Sequence, residues 1–86
     1  AKGGIGDAFV QLGQEDKALS YYETAATMNE NDFTTPRFLL KAGTAALNTG
    51  KKDKAIKHFT AIVTKYPNST EAAKATANIG KANAMN

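Results

Sequence analysis

Apolar residues recur three and four apart along most of this chain, in stretches interrupted by glycine and proline. That spacing predicts amphipathic helices. Ile5 to Leu12 reads as the tail of a first helix, closed by Gly13, with Gly3 and Gly4 as a frayed start. Glu15 to Met28 reads as a second, with Ala18, Leu19, Tyr22, Ala25 and Ala26 on its apolar face. Pro36 suits a first helical turn, and "RFLLKAGTAALNTG" runs from there to Gly50, a glycine placed to end a helix. Asp53 opens a fourth, with Ala55, Ile56, Phe59, Ile62 and Val63 at helical spacing and Pro67 beyond its end. Thr70 to Ala84 makes the fifth, with Ser69 or Thr70 as its N-cap. Connections this short join antiparallel neighbours.

The helices repeat. Shifted by 37 residues, Gly6 falls on Gly43 and Gly43 on Gly80, while Ala8 falls on Ala45 and Ala45 on Ala82. Gly13 meets Gly50, "DKAL" at Asp16–Leu19 meets "DKAI" at Asp53–Ile56, and Tyr22 meets Phe59. A fixed period of this length signals stacked helix pairs. Glycine inside a helix costs about 1 kcal/mol relative to alanine, so its recurrence implies a packing reason. Gly6, Ala8, Gly43, Ala45, Gly80 and Ala82 are expected to strip bulk from the first helix of each pair. Ala18 and Ala55 do the same on the second helix, with Gly6 expected to touch it near Ala18. Tyr22 and Phe59 fill the space between units. The run "KGGIGDAF" is thereby excluded as a phosphate loop, since no strand precedes it and Gly6 recurs in mid-helix.

The pattern resembles the tetratricopeptide repeat (TPR) family. The family's Leu-Gly pair corresponds to Ile5-Gly6, Ala42-Gly43 and Ile79-Gly80, its turn glycine to Gly13 and Gly50, and its small residue to Ala18 and Ala55. Its aromatic corresponds to Tyr22 and Phe59, its later apolar site to Ala25 and Ile62, and its terminal proline to Pro67. Departures are Glu30 at the first terminal proline, Glu15 and Lys52 at an aromatic position, and three extra residues around Phe33-Thr34-Thr35. The resemblance implies an all-α, right-handed α-α superhelix of about two and a half repeats, five antiparallel helices in one domain. Repeat one spans 1–32 and is clipped at its start, repeat two spans 33–69, and 70–86 is a capping helix. "KYPNSTEAAKATANIGKA" looks like repeats of bacterial cell-envelope proteins. It implies the C-terminal end of a longer protein, on the periplasmic side and tethered through a preceding segment.

Composition narrows the chemistry. With no cysteine, disulfides and thiolate catalysis are excluded. His58 is the single histidine; it reads as a solvated surface residue, the alternative being a ligand or base. No set of nucleophile, base and acid is legible, so no enzyme, cofactor or metal is expected. Asn68-Ser69-Thr70 matches a glycosylation sequon but reads better as a turn and helix cap. The net charge of +3 is unevenly spread: residues 1–32 sum to −4 and residues 33–86 to +7. That asymmetry suits solvated faces, an acidic partner, or head-to-tail self-assembly. Nucleic acid is not expected, because the lysines lack interleaved aromatics, and no membrane contact is expected from this segment.

A partner, by the family's pattern, would be a protein or peptide lying on the concave surface made by the first helix of each pair. Transferred residue by residue, that groove consists of Asp7, Gln11, Arg37, Lys41, Thr44, Asn48, Lys74, Asn78 and Lys81. Its excess of cations suits an acidic segment or a chain-end carboxylate. The clamp of chaperone-binding members is not matched, since Gly3, Asp7 and Lys41 stand where it has Lys, Asn and Asn. The second functional reading is a structural end-cap or self-assembly module without its own ligand. A clipped first unit would leave Ile5 and Phe9 partly uncovered and favour packing through that end.

Overall fold

The computed structural model describes residues 2–85 and places five helices in chain order. They are α1 (Lys2–Gln11), α2 (Glu15–Met28), α3 (Thr35–Asn48), α4 (Lys52–Lys65) and α5 (Thr70–Asn83). Each packs on its sequence neighbour, and α3 also reaches α5. No strand occurs among the described residues. The expected frayed start is absent: Gly3 and Gly4 are helical, and α1 begins at Lys2.

The turns within each pair have one construction. Gly13 and Gly50 take φ values of 75° and 76°, the left-handed region that glycine enters without a Cβ penalty. Gly13 N–H donates to the Val10 carbonyl and Gln14 N–H to that of Phe9, at 3.0 and 2.8 Å. Gly50 and Lys51 repeat this on Leu47 and Ala46, at 3.1 and 2.8 Å. This double closure satisfies the carbonyls at the helix end. A Cβ at either glycine would meet nothing, so only the backbone angle selects the residue.

The turns between pairs differ. Asn31 organises the longer one: its side-chain carbonyl accepts from the N–H groups of Phe33 and Thr34, at 2.9 and 2.8 Å. Its amide donates to Thr34 Oγ1 at 2.7 Å, and its own N–H donates to the Thr35 hydroxyl at 2.9 Å. Such a side-chain-closed turn makes the three additional residues an ordered connection. At α5, Ser69 occupies the N-cap position, but its hydroxyl donates back to the Tyr66 carbonyl at 2.7 Å and caps no helix N–H.

Among the described residues, eight of the twelve buried core hydrophobics are alanines; the others are Leu19, Tyr22, Phe59 and Ile62, and Pro36 is fully buried as well. Small residues let the helices approach closely, and a few large side chains fill what remains. Gly6 and Gly43 show this directly. A Cβ on Gly6 would overlap the Tyr22 ring, and one on Gly43 the Phe59 ring. The expected neighbour of Gly6 was Ala18; the contact is made one helical turn further along α2.

Two of the expected packing positions depart from the rest. Ala8 is exposed whereas Ala45 and Ala82 are buried, because no described element lies on the outer face of α1. Gly80 is exposed and has open space where a Cβ would stand, because no described helix follows α5 to supply a ring. Ile5 is 52% exposed and Phe9 half-buried, since no described helix packs over that face of α1.

Candidate functional site

A trough runs between α1 and α3 and consists of two hollows meeting at Lys41. The larger, about 480 Å³, is lined by Gly4, Asp7, Met28, Arg37, Phe38 and Lys41 among others. The smaller, about 200 Å³, includes Val10, Tyr22, Leu40, Thr44 and Asn48. Five predicted groove residues therefore converge here: Asp7, Arg37, Lys41, Thr44 and Asn48. Gln11 is exposed but lines neither hollow, and its neighbour Val10 takes that place. Lys74, Asn78 and Lys81 lie on α5 and line neither hollow; Asn78 is half-buried and both lysines are exposed. The apolar lining, Val10, Met28, Phe38 and Leu40, was not anticipated. A signal was present for Val10 and Met28, which are exposed apolar residues, whereas Phe38 and Leu40 also pack against the core.

The centre of the trough is already neutralised. The Lys41 ammonium contacts both Asp7 carboxylate oxygens, at 2.8 and 3.0 Å. It also stands over the Tyr22 ring, 5.7 Å from its centroid. Asp7 further accepts a hydrogen bond from the Tyr22 hydroxyl. The Lys41 hydrogen bond, then that of Tyr22, hold the Asp7 carboxyl below the usual carboxylate range. Burial first, and the Asp7 carboxylate next, push the Tyr22 phenol above its ordinary value. Lys41 is therefore not the free cation that the sequence suggested. Arg37 is exposed and has no ion-pair partner among the described residues.

The depressed carboxyl has a pH signature. A group whose folded pKa lies below its unfolded value stabilises the fold above the unfolded pKa, and that contribution fades as pH falls through the folded one. Acid titration followed by circular dichroism should show wild type losing stability below about pH 4. Asp7→Asn should flatten that slope while changing helicity at neutral pH little. An unchanged acid slope would mean that the Asp7 pair is not formed in solution.

The charge asymmetry has an internal explanation. Asp16 pairs with Lys51 at 2.7 Å, and Glu23 with His58 at 2.8 Å and Lys54 at 3.5 Å. Asn48 donates to Glu15 at 3.1 Å. With Asp7–Lys41, four of the six acidic residues in 1–32 thus meet groups of the second unit, 31 to 35 positions on. Surface pairs of this kind contribute little energy individually, but they bring the two units together in one register. His58 is corrected by the same contacts: its side chain is 14% exposed and bridges α4 to α2, so it is not a solvated surface residue.

Among the described residues no cluster of three or more His, Cys, Asp or Glu could hold a metal ion. No helix among them is long and apolar enough to cross a membrane.

A stack of antiparallel helix pairs, closed by left-handed glycines and packed glycine against ring, is a helical-repeat solenoid. Two family models, each described as tetratricopeptide repeat, match residues 1–32 and 38–69, and together they cover about three quarters of the chain. The chain belongs to the tetratricopeptide repeat family. Repeats of this family generally mediate protein–protein interaction. The second match begins after the Asn31 turn, so the three additional residues stand outside both repeats. No curated protein matches the chain.

Proposed function

We propose that this chain is a non-enzymatic scaffold that holds a peptide segment in the trough between α1 and α3. The supporting observation is the pairing of an apolar lining with an exposed, unpaired Arg37 at one end. Met28, Phe38, Val10 and Leu40 offer contact to apolar side chains. Arg37 offers a two-pronged donor to a carboxylate. Asp7 and Lys41, bound to each other, tie the two walls together rather than selecting charge. The preferred ligand is thus an extended segment carrying an apolar residue near an acidic one, with Lys74 and Lys81 adding a weak positive field from α5. The bacterial cell envelope remains the proposed setting, supported by the "YPNS" stretch alone.

Titration of fluorescently labelled acidic and basic peptides, each with and without an apolar anchor, tests this reading. The acidic, anchored peptide should bind best. Arg37→Glu should weaken it by about tenfold or more, the worth of one hydrogen bond to a charged group. Lys74→Glu should have a smaller effect. Equal binding of acidic and basic peptides, or none of either, would sink the proposal.

A further inference from the structure

Phe33 is 83% exposed, the most open large apolar side chain among the described residues. It belongs to the three residues that interrupt the repeat, and neither family match includes it. A lone exposed phenylalanine is ordinary; one fixed on an ordered turn beside a hollow is not. Asn31 fixes it. The Asn31 side-chain carbonyl accepts from the Phe33 N–H at 2.9 Å, while its amide donates to the Asn29 carbonyl at 2.8 Å and to Thr34 Oγ1 at 2.7 Å.

The hollow, about 440 Å³, lies between the α2–α3 turn and the α4–α5 turn. Phe33 lines it from the first turn, Tyr66 and Pro67 from the second, Arg37 from the start of α3 and Lys65 from the end of α4. The Ser69 hydroxyl that caps no helix N–H has its use here. It and the Ser69 N–H both donate to the Tyr66 carbonyl, at 2.7 and 3.1 Å, and so hold the second wall. Walls ordered before a ligand arrives lower the entropy lost on binding.

The charges on this hollow favour an acidic occupant. Glu71 stands in the first turn of α5, where the helix amides favour a carboxylate, and accepts from the Thr70 hydroxyl at 3.2 Å. Arg37, Lys65 and Asp32 line the hollow without an ion-pair partner among the described residues. Two open cations thus face one open carboxylate. Arg37 also lines the larger hollow of the trough, so the two hollows meet at its side chain.

We propose that the segment held in the trough runs on past Arg37 and seats an aromatic side chain in the hollow beside Phe33. Resting on the trough as the peptide site, this places the ligand's acidic residue at Arg37 with an apolar residue on either side of it. The interrupting residues then extend the binding surface from the helices of the repeat onto the turns that join them. Aromatic and arginine side chains of this kind carry much of the energy at protein interfaces.

Titration of two labelled peptides tests the extension. The first carries an apolar anchor and an acidic residue; the second adds an aromatic residue beyond the acidic one, and both are made in both chain directions. In its better direction the second should bind more tightly than the first by about fivefold or more, the worth of one well-seated interface side chain. Phe33→Ala changes an exposed position, so its circular dichroism should match wild type. It should remove the gain of the second peptide and leave the affinity of the first unchanged. In isotope-enriched wild type, the amides of Phe33 and Tyr66 should shift with the second peptide and not with the first. If the first peptide binds and the second binds no better, or if Phe33→Ala weakens both equally, the extension is overturned and the trough stands. If the first does not bind, the trough falls and the extension with it.

Discussion

Phe59→Ala is expected to cost about 3–5 kcal/mol of folding stability, the range for truncating a fully buried phenylalanine. The ring is 0% exposed and is the largest of the fully buried side chains. It lies on α4 against Gly43 of α3, within the cluster that also contains Ile62, Ala55 and Ala75. Because the surrounding core is mostly alanine, few side chains can reach into the space it leaves. A domain of this size has a total stability of roughly 5–10 kcal/mol, so the variant should lose about half of it. Urea unfolding followed at 222 nm checks the result. A loss below about 1 kcal/mol, smaller than that of an ordinary core truncation, would show that the ring does not hold α4 on α3. Tyr22→Ala should be less damaging, since Tyr22 lines the smaller hollow of the trough, from which water can enter the space it leaves.

The second large effect concerns three glycines that are equivalent in sequence and not in structure. Gly43→Ala should destabilise by about 1–3 kcal/mol, the cost of overpacking, even though alanine is the better helix former. The Cβ overlaps the Phe59 ring, which is itself fully enclosed and has nowhere to move. Gly80→Ala should stabilise the folded monomer by up to about 1 kcal/mol, since it gains helix propensity in open space. Thermal melts of the two variants should therefore shift in opposite directions. A second substitution isolates the cause: Phe59→Leu should recover part of the Gly43→Ala loss, giving a coupling of about 0.5 kcal/mol or more between contacting residues. Independent, additive effects would show that the ring and the glycine do not meet.

Helix number and type were legible in the sequence because both follow from local rules. Period-3.6 apolar spacing, glycine at the ends of α1 and α3, and Pro36 in the first turn of α3 depend on neighbours within a few residues. The period of 37 was legible for a related reason. Each pair must present the same face to the next, so Gly6 and Gly43, or Tyr22 and Phe59, have to recur at matching positions. That register, carried onto the concave face of the repeat family, places Asp7, Arg37, Lys41, Thr44 and Asn48 along one trough, but it also names Gln11, Lys74, Asn78 and Lys81, which do not line it.

The occupancy of those positions could not be named. A side chain thirty or more residues away decides it, and periodicity is silent about which one. Lys41 looks like a ligand-binding cation until Asp7 is found bound to it; His58 looks solvated until Glu23 is found beside it. Gly6, Gly43 and Gly80 share a register, yet whether a ring covers each depends on a neighbouring helix, not on the residue. By itself the sequence determined the five helices, their pairing and their repeat, since these rest on short-range geometry and on a pattern stated at least twice. Only the tertiary structure decided which charges are spent within the chain and which surfaces stay open, because burial and ion pairing belong to two surfaces at once.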